Sequence, residues 1–199
     1  MPDSVRHSAD MLDRIARLVR DYPLAWVISR DFHASPLPLL AERNAQGEIT
    51  ALFGHCGRGN PLCDDFAQDA SGLVLFNGPA GYVSPRHISE TDWGPTWNYA
   101  VLRFTVEIEL RPQETRESVE RLLDHLEGRE PDRWTTAELG KRYEGMLDRI
   151  IAFRAHVRDC TPTFKLGQDE DAAVFAEIAA NHPDRILANW MREFVVGSA

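Results

Sequence analysis

The sequence predicts a mainly β domain with flanking helices, an α+β fold. Two apolar, β-prone runs, 73–76 and 100–110, lie on either side of a turn-rich middle segment. From Leu102 the second run alternates apolar with polar or charged residues, which is typical of a half-buried strand. Outside these runs, apolar residues recur at helical spacing. Together the patterns favour one domain over residues 1–199, with strands at its centre and helices at its periphery.

The N-terminal part is predicted to hold one helix and three strands. Apolar residues at helical spacing predict a helix over 8–21, which Tyr22-Pro23 ends. The strands are predicted over 24–29, 34–40 and 49–54. Pro36 and Pro38 place the second of these at a sheet edge or a bulge, because proline cannot donate a hydrogen bond to a neighbouring strand. An unpaired backbone face of this kind can meet a ligand, although it also fits a plain edge strand.

The remaining elements are predicted from turn-forming residues and from apolar residues at helical spacing. Asn77-Gly78-Pro79 predicts a turn after the run 73–76, and extended structure resumes near Gly81. A short helix is predicted from Asp64 to Gln68. Peripheral helices are predicted over 115–127, over 139–151 and, as two closing helices, within 171–195. A weakly patterned strand is predicted over 153–160.

Composition and charge limit the possible partners. The net charge is −9 and the pI is near 5.2, so direct nucleic-acid binding is not expected. We find no apolar stretch long enough to span a membrane and no signal peptide, and therefore expect a cytoplasmic protein. The three cysteines are expected to be reduced. His55, Cys56 and Cys63 suggest a metal only weakly, because no CxxC pair accompanies them, and we expect no metal site.

A Gly-rich segment, predicted as a loop over 55–61, is the first candidate for binding chemistry. It contains Arg58 between two glycines and ends in Asn60-Pro61. Backbone N–H groups of such a loop can converge on an anion, and arginine adds a planar, charged fork. The GxxxxGK[ST] order of a P-loop is absent, and so is a Rossmann fingerprint.

Four segments resemble one known family. They are GHCGRGNP at 54–61, VLFNGPAGYVSP at 74–85, PTWNYAV at 95–101 and KLGQ at 165–168. Their order and spacing are similar to those of the PaiB-type family, often labelled FMN-binding negative transcriptional regulators. The resemblance implies a split β-barrel of the pyridoxamine-phosphate-oxidase-like kind. It also implies a homodimer that holds FMN at the subunit interface.

FMN requires a site with three kinds of group, for its phosphate, its ribityl hydroxyls and its flat ring. For the phosphate the candidates are His55, Arg58 and Asn60, since Arg58-Gly59-Asn60-Pro61 keeps the family's pattern. For the hydroxyls they are Ser35, Asn77 and Asn98, and for the ring they are Trp97, Tyr99 and Tyr82. In the KLGQ segment the candidates are Lys165 and Gln168. Lys165 suits the flavin N1–C2 edge, where a cation stabilises the reduced anion, and it equally suits a surface salt bridge. Each aromatic also fits a core or dimer-interface position.

Two positions depart from the family pattern. The family commonly has serine where Gly167 stands, and an aromatic pair, Trp-Tyr, where Arg86-His87 follows the Ser-Pro. Arg86 and His87 are therefore the candidate catalytic residues, because a cation and an imidazole favour an anionic or carbonyl-bearing substrate. The alternative is a solvated loop in which Arg86 pairs with Glu90 or Asp92.

The leading hypothesis is an FMN flavoprotein of the PaiB type acting as a flavin-dependent oxidoreductase on a small molecule. One alternative is a negative transcriptional regulator that uses FMN as a ligand, although no basic recognition helix is evident. The other alternative is a haem-binding split barrel, with His33, His55 or His87 as axial ligand.

Overall fold

The computed structural model describes residues 7–128 and 130–196. The strands are β1 (Leu24–Ser29), β2 (Ala34–Arg43), β3 (Ile49–Gly57), β4 (Ser71–Val83), β5 (Thr96–Leu110) and β6 (Ile150–Lys165). The helices are α1 (Ala9–Asp21), α2 (Pro61–Gln68), α3 (Thr115–Leu126), α4 (Arg142–Leu147), α5 (Ala172–Asn181) and α6 (Arg185–Val196). The strands close into an antiparallel barrel in the order β1-β2-β3-β6-β5-β4. The predicted mainly β fold with flanking helices is confirmed.

The chain divides into two compact units. The first comprises the residues up to 76 together with 103–161, and the second comprises 77–102 and the residues from 162 onward. Three strands, β4, β5 and β6, contribute residues to both units. The single domain predicted over residues 1–199, whose ends 1–6 and 197–199 lie outside the described residues, stays a prediction.

In the first unit β2 changes partner half-way along its length. β1 pairs with β2 from Ala34 to Pro38, and β3 pairs with it from Leu39 to Arg43. Pro36 and Pro38 therefore lie outside the segment that β3 pairs with, as their missing N–H groups predict. Helix α1 begins after Ser8, whose hydroxyl accepts from the Met11 N–H. It buries Ile15, Leu18 and Val19, and it packs against β2.

The second unit packs two helices and the ends of three strands around an apolar core. Val83, Ala100, Leu102, Leu166, Ile178, Leu187 and Met191 are fully buried there. Gly167 adopts a φ of +82°, and a Cβ at that position would lie 3.4 Å from the Asn98 Nδ2. This left-handed backbone conformation favours glycine at position 167.

Three predicted boundaries are wrong. β4 continues through Asn77-Gly78-Pro79. Its pairing with β1 ends at Phe76, so the missing N–H of Pro79 disrupts no hydrogen bond to β1. The helix predicted over 139–151 is reduced to α4, because Ile150 and Ile151 begin β6. The loop predicted over 55–61 is shorter, because β3 extends to Gly57 and α2 already begins at Pro61. The other predicted helices and strands are present, with β2 and β6 longer than expected.

Candidate functional site

The segment between β3 and α2, residues 58–60, carries the groups predicted to bind phosphate and is called the α2 loop. Asn60 caps α2, with its Oδ1 accepting from the Leu62 N–H at 3.0 Å and its Nδ2 donating to the Ser35 Oγ at 2.9 Å. The Ser35 oxygen accepts this bond, and no acceptor among the described residues takes its hydroxyl hydrogen, which can therefore donate to a ligand. The structure therefore brings the two candidate residues Ser35 and Asn60 together and gives both a well-defined orientation.

Arg58 is exposed and held at its base. Its backbone N–H donates to the Arg149 oxygen at 2.9 Å, and its Nε donates to the Asp148 oxygen at 3.0 Å. These bonds position the side chain, and within residues 7–128 and 130–196 its two terminal nitrogens have no hydrogen-bond partner. Gly57 and Gly59 have open space where a Cβ would stand, so packing within the chain does not require glycine at either position. The α2 loop thus presents an oriented guanidinium beside an accessible backbone.

His55 has a different environment from the one predicted. It lies within β3, and its Nδ1 is 3.2 Å from the Ser118 Oγ. Ser118 already donates its hydroxyl hydrogen to the Thr115 oxygen, so His55 must donate Nδ1–H and its Nε2 carries no hydrogen. Burial also lowers the pKa of His55, which favours this neutral form. Such a ring cannot donate from Nε2 to a phosphate, so this geometry supports a structural role.

A polar cluster that sequence reasoning missed lies at the turn between β1 and β2. The Asp65 Oδ2 accepts from the Ser29 hydroxyl at 2.5 Å and from the His33 Nδ1 at 2.8 Å. The hydrogen bond from Ser29, together with that from His33, lowers the pKa of Asp65. The pairing fixes the ring of His33 and leaves its Nε2 directed away from the carboxylate. Sequence spacing gave no signal for it, because the three residues lie on different elements.

In the second unit, side-chain alternation separates the three consecutive candidates of β5. Asn98 is only 2% exposed, and its Nδ2 donates to the Met191 Sδ at 3.5 Å. Trp97 and Tyr99 point to the opposite face of the strand. Trp97 is 57% exposed and Tyr82 is 47% exposed, and their ring centroids are 5.9 Å apart. The predicted aromatic candidates therefore form an open apolar surface, whereas Asn98 is an internal residue.

The two polar side chains of the KLGQ segment, Lys165 and Gln168, have different environments. The Lys165 Nζ donates to the Thr96 hydroxyl, at the start of β5. Gln168 is occupied by its own turn, since its Nε2 donates to the Phe164 oxygen and its Oε1 accepts from the Leu166 N–H. Asn77 is exposed on β4. Of these three, Lys165 has the chemistry that suits an anionic ring system.

The segment Arg86-His87 forms a single 3-10 turn, residues Pro85–His87. The His87 Nδ1 accepts from the Ser84 N–H at 3.3 Å, and its ring packs edge-to-face on His182 at 5.2 Å. Burial, together with the charge of His182, lowers the pKa of His87. Arg86 is exposed, and no ion pair joins it to Glu90 or Asp92, all three of which lie in the described part of the chain. The predicted ion pair of Arg86 is therefore not found among the described residues. The imidazole of His87 is not free either, because it caps the turn.

One face of the sheet in the first unit is apolar and uncovered. Residues paired across an antiparallel sheet point to the same face. Leu24, 60% exposed, and Trp26, 43% exposed, share a face of β1 with Ile28. Their partners on β2 and β4 are Ala34, Pro36, Pro38, Leu73 and Leu75. This surface, the β1 outer face, runs continuously across three paired strands and has the composition of an interaction site.

Comparison with known proteins identifies the family. The model of the family described as "Putative FMN-binding domain" matches residues 4–159. The chain belongs to this FMN-binding family. Membership supports FMN as the cofactor, and the resemblance to PaiB-type proteins is confirmed by a curated relative. The chain is 29% identical over 137 residues to "Protease synthase and sporulation protein PAI 2" of Bacillus subtilis (strain 168). The match covers 68% of this chain and 66% of that protein's length.

Solved structures confirm the split-barrel fold. The FAD and Heme binding protein from Mycobacterium smegmatis superposes with a TM-score of 0.54 at 22% identity, over 84% of this chain and 77% of that one. The Flavocytochrome Anf3 from Azotobacter vinelandii superposes with a TM-score of 0.55 at 13% identity, over 80% of this chain and 68% of that one. At these identities the likeness concerns the fold. Within the described residues no helix is long and apolar enough to cross a membrane.

Each compact unit, taken by itself, has residues that suit one part of this cofactor. The α2 loop and Ser35 offer a guanidinium, an open backbone and a hydroxyl, which are the donors that a phosphate and a ribityl chain require. The aromatic surface of the second unit and Lys165 offer the apolar contact and positive charge that suit a flavin ring. The described residues contain no group of three or more His, Cys, Asp or Glu that could hold a metal.

Proposed function

We propose that this flavoprotein is an oxidoreductase that uses FMN to reduce or oxidise a small molecule. The observation that carries the proposal is the α2 loop, where Arg58 is held by Asp148 and Arg149 and its terminal nitrogens bond to none of the residues that the structure describes. An arginine fixed at its base loses little further entropy when it binds a phosphate oxygen. Bound FMN supplies hydride and single-electron transfer, and the protein supplies binding and charge.

Each set of residues has its own task in this proposal. Arg58 neutralises the phosphate, while Asn60 holds Ser35 so that its hydroxyl can donate to the ligand. Trp97 and Tyr82 give an aromatic surface that excludes water from one side of a flat ring. Lys165, steadied by Thr96, places a positive charge that stabilises an anionic reduced ring. His87 caps its own turn, so we assign the proton-transfer role to no residue of that segment.

The visible spectrum of the purified protein tests the cofactor, and the reduction potential tests the chemistry. A flavin band is expected, and Lys165→Met should lower the potential of bound FMN by roughly 30 mV, which corresponds to about 1.4 kcal/mol for two electrons. Lys141→Met, which alters the only other lysine of the chain, is the matched control and should leave the potential unchanged. Equal potentials for wild type and Lys165→Met would remove the redox role of Lys165.

Haem binding is the second candidate, supported by the cluster at the β1–β2 turn. A histidine that ligates a metal commonly donates its other ring N–H to a carboxylate, and the His33 Nδ1 does so to Asp65. Its Nε2 is then the available axial ligand. The names of two structural relatives include haem or a flavocytochrome. A Soret band that His33→Ala abolishes would establish this function, and a Soret-free spectrum after haem addition would exclude it.

Direct repression of transcription is the least supported role. The net charge of −9 opposes binding to a phosphate backbone, and no observation in the described residues favours a DNA contact.

We further propose that the protein is a homodimer joined through the β1 outer face. Its apolar surface, with Leu24 and Trp26 exposed, would be covered by the same face of a second copy.

A further inference from the structure

Two free thiols lie on either side of the α2 loop. Cys56 is near the end of β3, Cys63 is in the first turn of α2, and their sulfur atoms are 3.5 Å apart. Only residues 57–62 separate them along the chain. Cys56 is 4% exposed, whereas Cys63 is partly exposed. A pair of this kind can react stepwise, with the accessible thiol first and the buried thiol second.

The third cysteine does not belong to such a pair. Cys160 lies on β6, and no other sulfur is within contact distance of it in the described residues. Burial, together with the neighbouring Asp159, raises the pKa of Cys160 to about 12. Burial and the proximity of Cys63 likewise raise the pKa of Cys56 to about 12. At neutral pH little Cys56 thiolate is present, so its reaction depends on the Cys63 sulfur, which lies 3.5 Å away.

We propose that Cys56 and Cys63 form a reversible disulfide by exchange with a low-molecular-weight disulfide, and that this bond lowers the affinity for FMN. The second half of the proposal rests on the proposed function, in which the α2 loop binds the FMN phosphate. The first half depends only on the positions of the two sulfur atoms. Oxidation would thus release the cofactor, and reduction would restore its binding.

The exchange balances in two steps. The Cys63 sulfur, after losing its proton, attacks one sulfur of the small disulfide, so that a mixed disulfide forms and one small thiol leaves. The Cys56 sulfur then loses its proton and attacks the Cys63 sulfur, and the second small thiol leaves. The two cysteines together lose two electrons and two protons, and the small disulfide is reduced to two thiols.

The new bond would rearrange the α2 loop. A disulfide joins its sulfur atoms at about 2.05 Å, so the two sulfurs must approach from 3.5 Å. The Cys63 Sγ also leaves its contact with the Gly57 oxygen at 3.5 Å. Both movements occur at the ends of the segment that contains Arg58 and Asn60. A change in the first turn of α2 therefore alters the hydrogen bond from Asn60 to Ser35 and the direction of the Arg58 side chain.

The bond itself is tested with the full chain and oxidised glutathione. Wild type should lose two of its three titratable thiols, and peptide mapping without reductant should link residues 56 and 63. Cys160→Ser is the matched control and should form the same link. Cys56→Ser should instead accumulate one stable glutathione adduct at Cys63, and Cys63→Ser should form neither product. Unchanged thiol counts in wild type, or a link that involves Cys160, would overturn the proposal.

The effect on FMN is measured on the same oxidised and reduced samples. Oxidised wild type should bind FMN with an affinity at least about tenfold lower than that of the reduced protein. This is the loss expected when one charge-assisted contact is misaligned. Oxidised Cys63→Ser should keep the affinity of its reduced form. If the disulfide forms and FMN affinity does not change, the regulatory half is wrong. If Arg58→Ala also leaves FMN affinity unchanged, the assignment of the phosphate to the α2 loop is wrong while the disulfide stands.

Discussion

Arg58 is the residue on which the cofactor assignment depends. It is exposed, held at its base by two backbone oxygens, and has its terminal nitrogens available. We predict that Arg58→Ala weakens FMN binding by about 1.5–3 kcal/mol, the range for hydrogen bonds to charged groups. Titration calorimetry or flavin fluorescence quenching measures this loss.

Riboflavin separates a phosphate contact from a general loss of structure. It lacks the phosphate, so its affinity should be nearly the same for wild type and Arg58→Ala. Arg86→Ala removes an equally exposed arginine from the second unit and should affect neither ligand. Equal losses for FMN and riboflavin would place Arg58 away from the phosphate.

The protonation of His87 should make the stability of the folded protein depend on pH. Its Nδ1 accepts the Ser84 N–H, so protonation of the ring breaks the cap, and its pKa in the folded protein lies below the ordinary 6.5. The unfolded chain then binds more protons than the folded chain as the pH falls below about 6.5. Stability is therefore fully present above that pH and is lost as the pH falls through the lowered pKa. Urea unfolding between pH 7.5 and 5.5 should show this loss in wild type.

A conservative variant isolates the contribution of His87. His87→Gln should lose about 0.5–1 kcal/mol at pH 7.5, as a weakened cap does, and should show a smaller fall between the two pH values. Arg86→Ala, at the adjacent position, keeps the cap and should keep the wild-type fall, since arginine does not titrate in this range. An identical pH dependence in His87→Gln would show that another group is responsible.

Chemical type and local motifs gave the candidate site residues but not their contacts. Ser35 was predicted from its polarity and Asn60 from its place after the glycines, and in the structure a hydrogen bond joins them. His55 was predicted as a phosphate ligand from its position in the same segment. Its strand conformation and its bond to Ser118 could not be predicted, because Ser118 is on α3, 63 residues away in the sequence.

At the level of elements, an ion-pair network joins β2, α3 and β6. The Glu42 carboxylate pairs with Arg121 and Arg154, and both guanidinium groups lie over the ring of Phe53, with distances of 4.8 Å and 4.6 Å to its centroid. Burial by itself raises the pKa of Glu42, but the hydrogen bonds and charges of the two arginines outweigh it and hold the pKa below the ordinary 4.5.

Removing this charge should destabilise the first unit in a pH-dependent way. We predict that Glu42→Gln costs about 1–3 kcal/mol at pH 7, since two partly buried arginines lose a partner. The lowered pKa means that this stabilisation is present above about pH 4.5 and disappears as the pH falls through the folded-state value. Urea unfolding at pH 7 and pH 3.5 should show a smaller difference between wild type and Glu42→Gln at the lower pH.

Glu117→Gln is the matched control for the network. Glu117 also pairs with Arg121, at 3.2 Å, but its side chain is 51% exposed. Exposed pairs contribute little, so this variant should lie within about 0.5 kcal/mol of wild type. Similar losses for the two variants would show that the burial of Glu42 does not matter.

Helices and strands were predicted correctly where the interaction that determines them lies between residues close in sequence. The two prolines of β2 restrict their own backbone, so their effect on pairing was predictable from sequence. The failure at 139–151 has the opposite cause. Tyr143, Leu147, Ile150 and Ile151 have helical spacing, but pairing of β6 with β3 begins at Ile150, and such tertiary pairing overrides a local pattern. Asn77-Gly78 was also misleading, since β4 continues through it.

For the whole molecule, the motifs predicted the barrel better than periodicity did. Alternation within single strands indicates strands but gives neither their order nor closure, because β3 pairs with β6 across about a hundred residues. The four motif segments lie in both compact units, so the resemblance covered most of the chain. The division into two units had no signal in composition, since three strands pass from one unit to the other.

The β1 outer face has the composition expected of a subunit interface. We expect a homodimer whose interface buries roughly 2,000 Å² or more, the size typical of obligate pairs. Trp26 projects from this face, 43% exposed, with Pro36 and Leu75 beside it as its strand partners. Trp26→Glu would bury two like charges near the two-fold axis, and should therefore yield monomers by light scattering at micromolar concentration. Trp134→Glu changes a tryptophan of similar exposure, 36%, that lies outside the sheet, and should remain dimeric. If wild type is monomeric with FMN present, the homodimer is wrong. If Trp26→Glu stays dimeric while folded, the dimer forms through another surface.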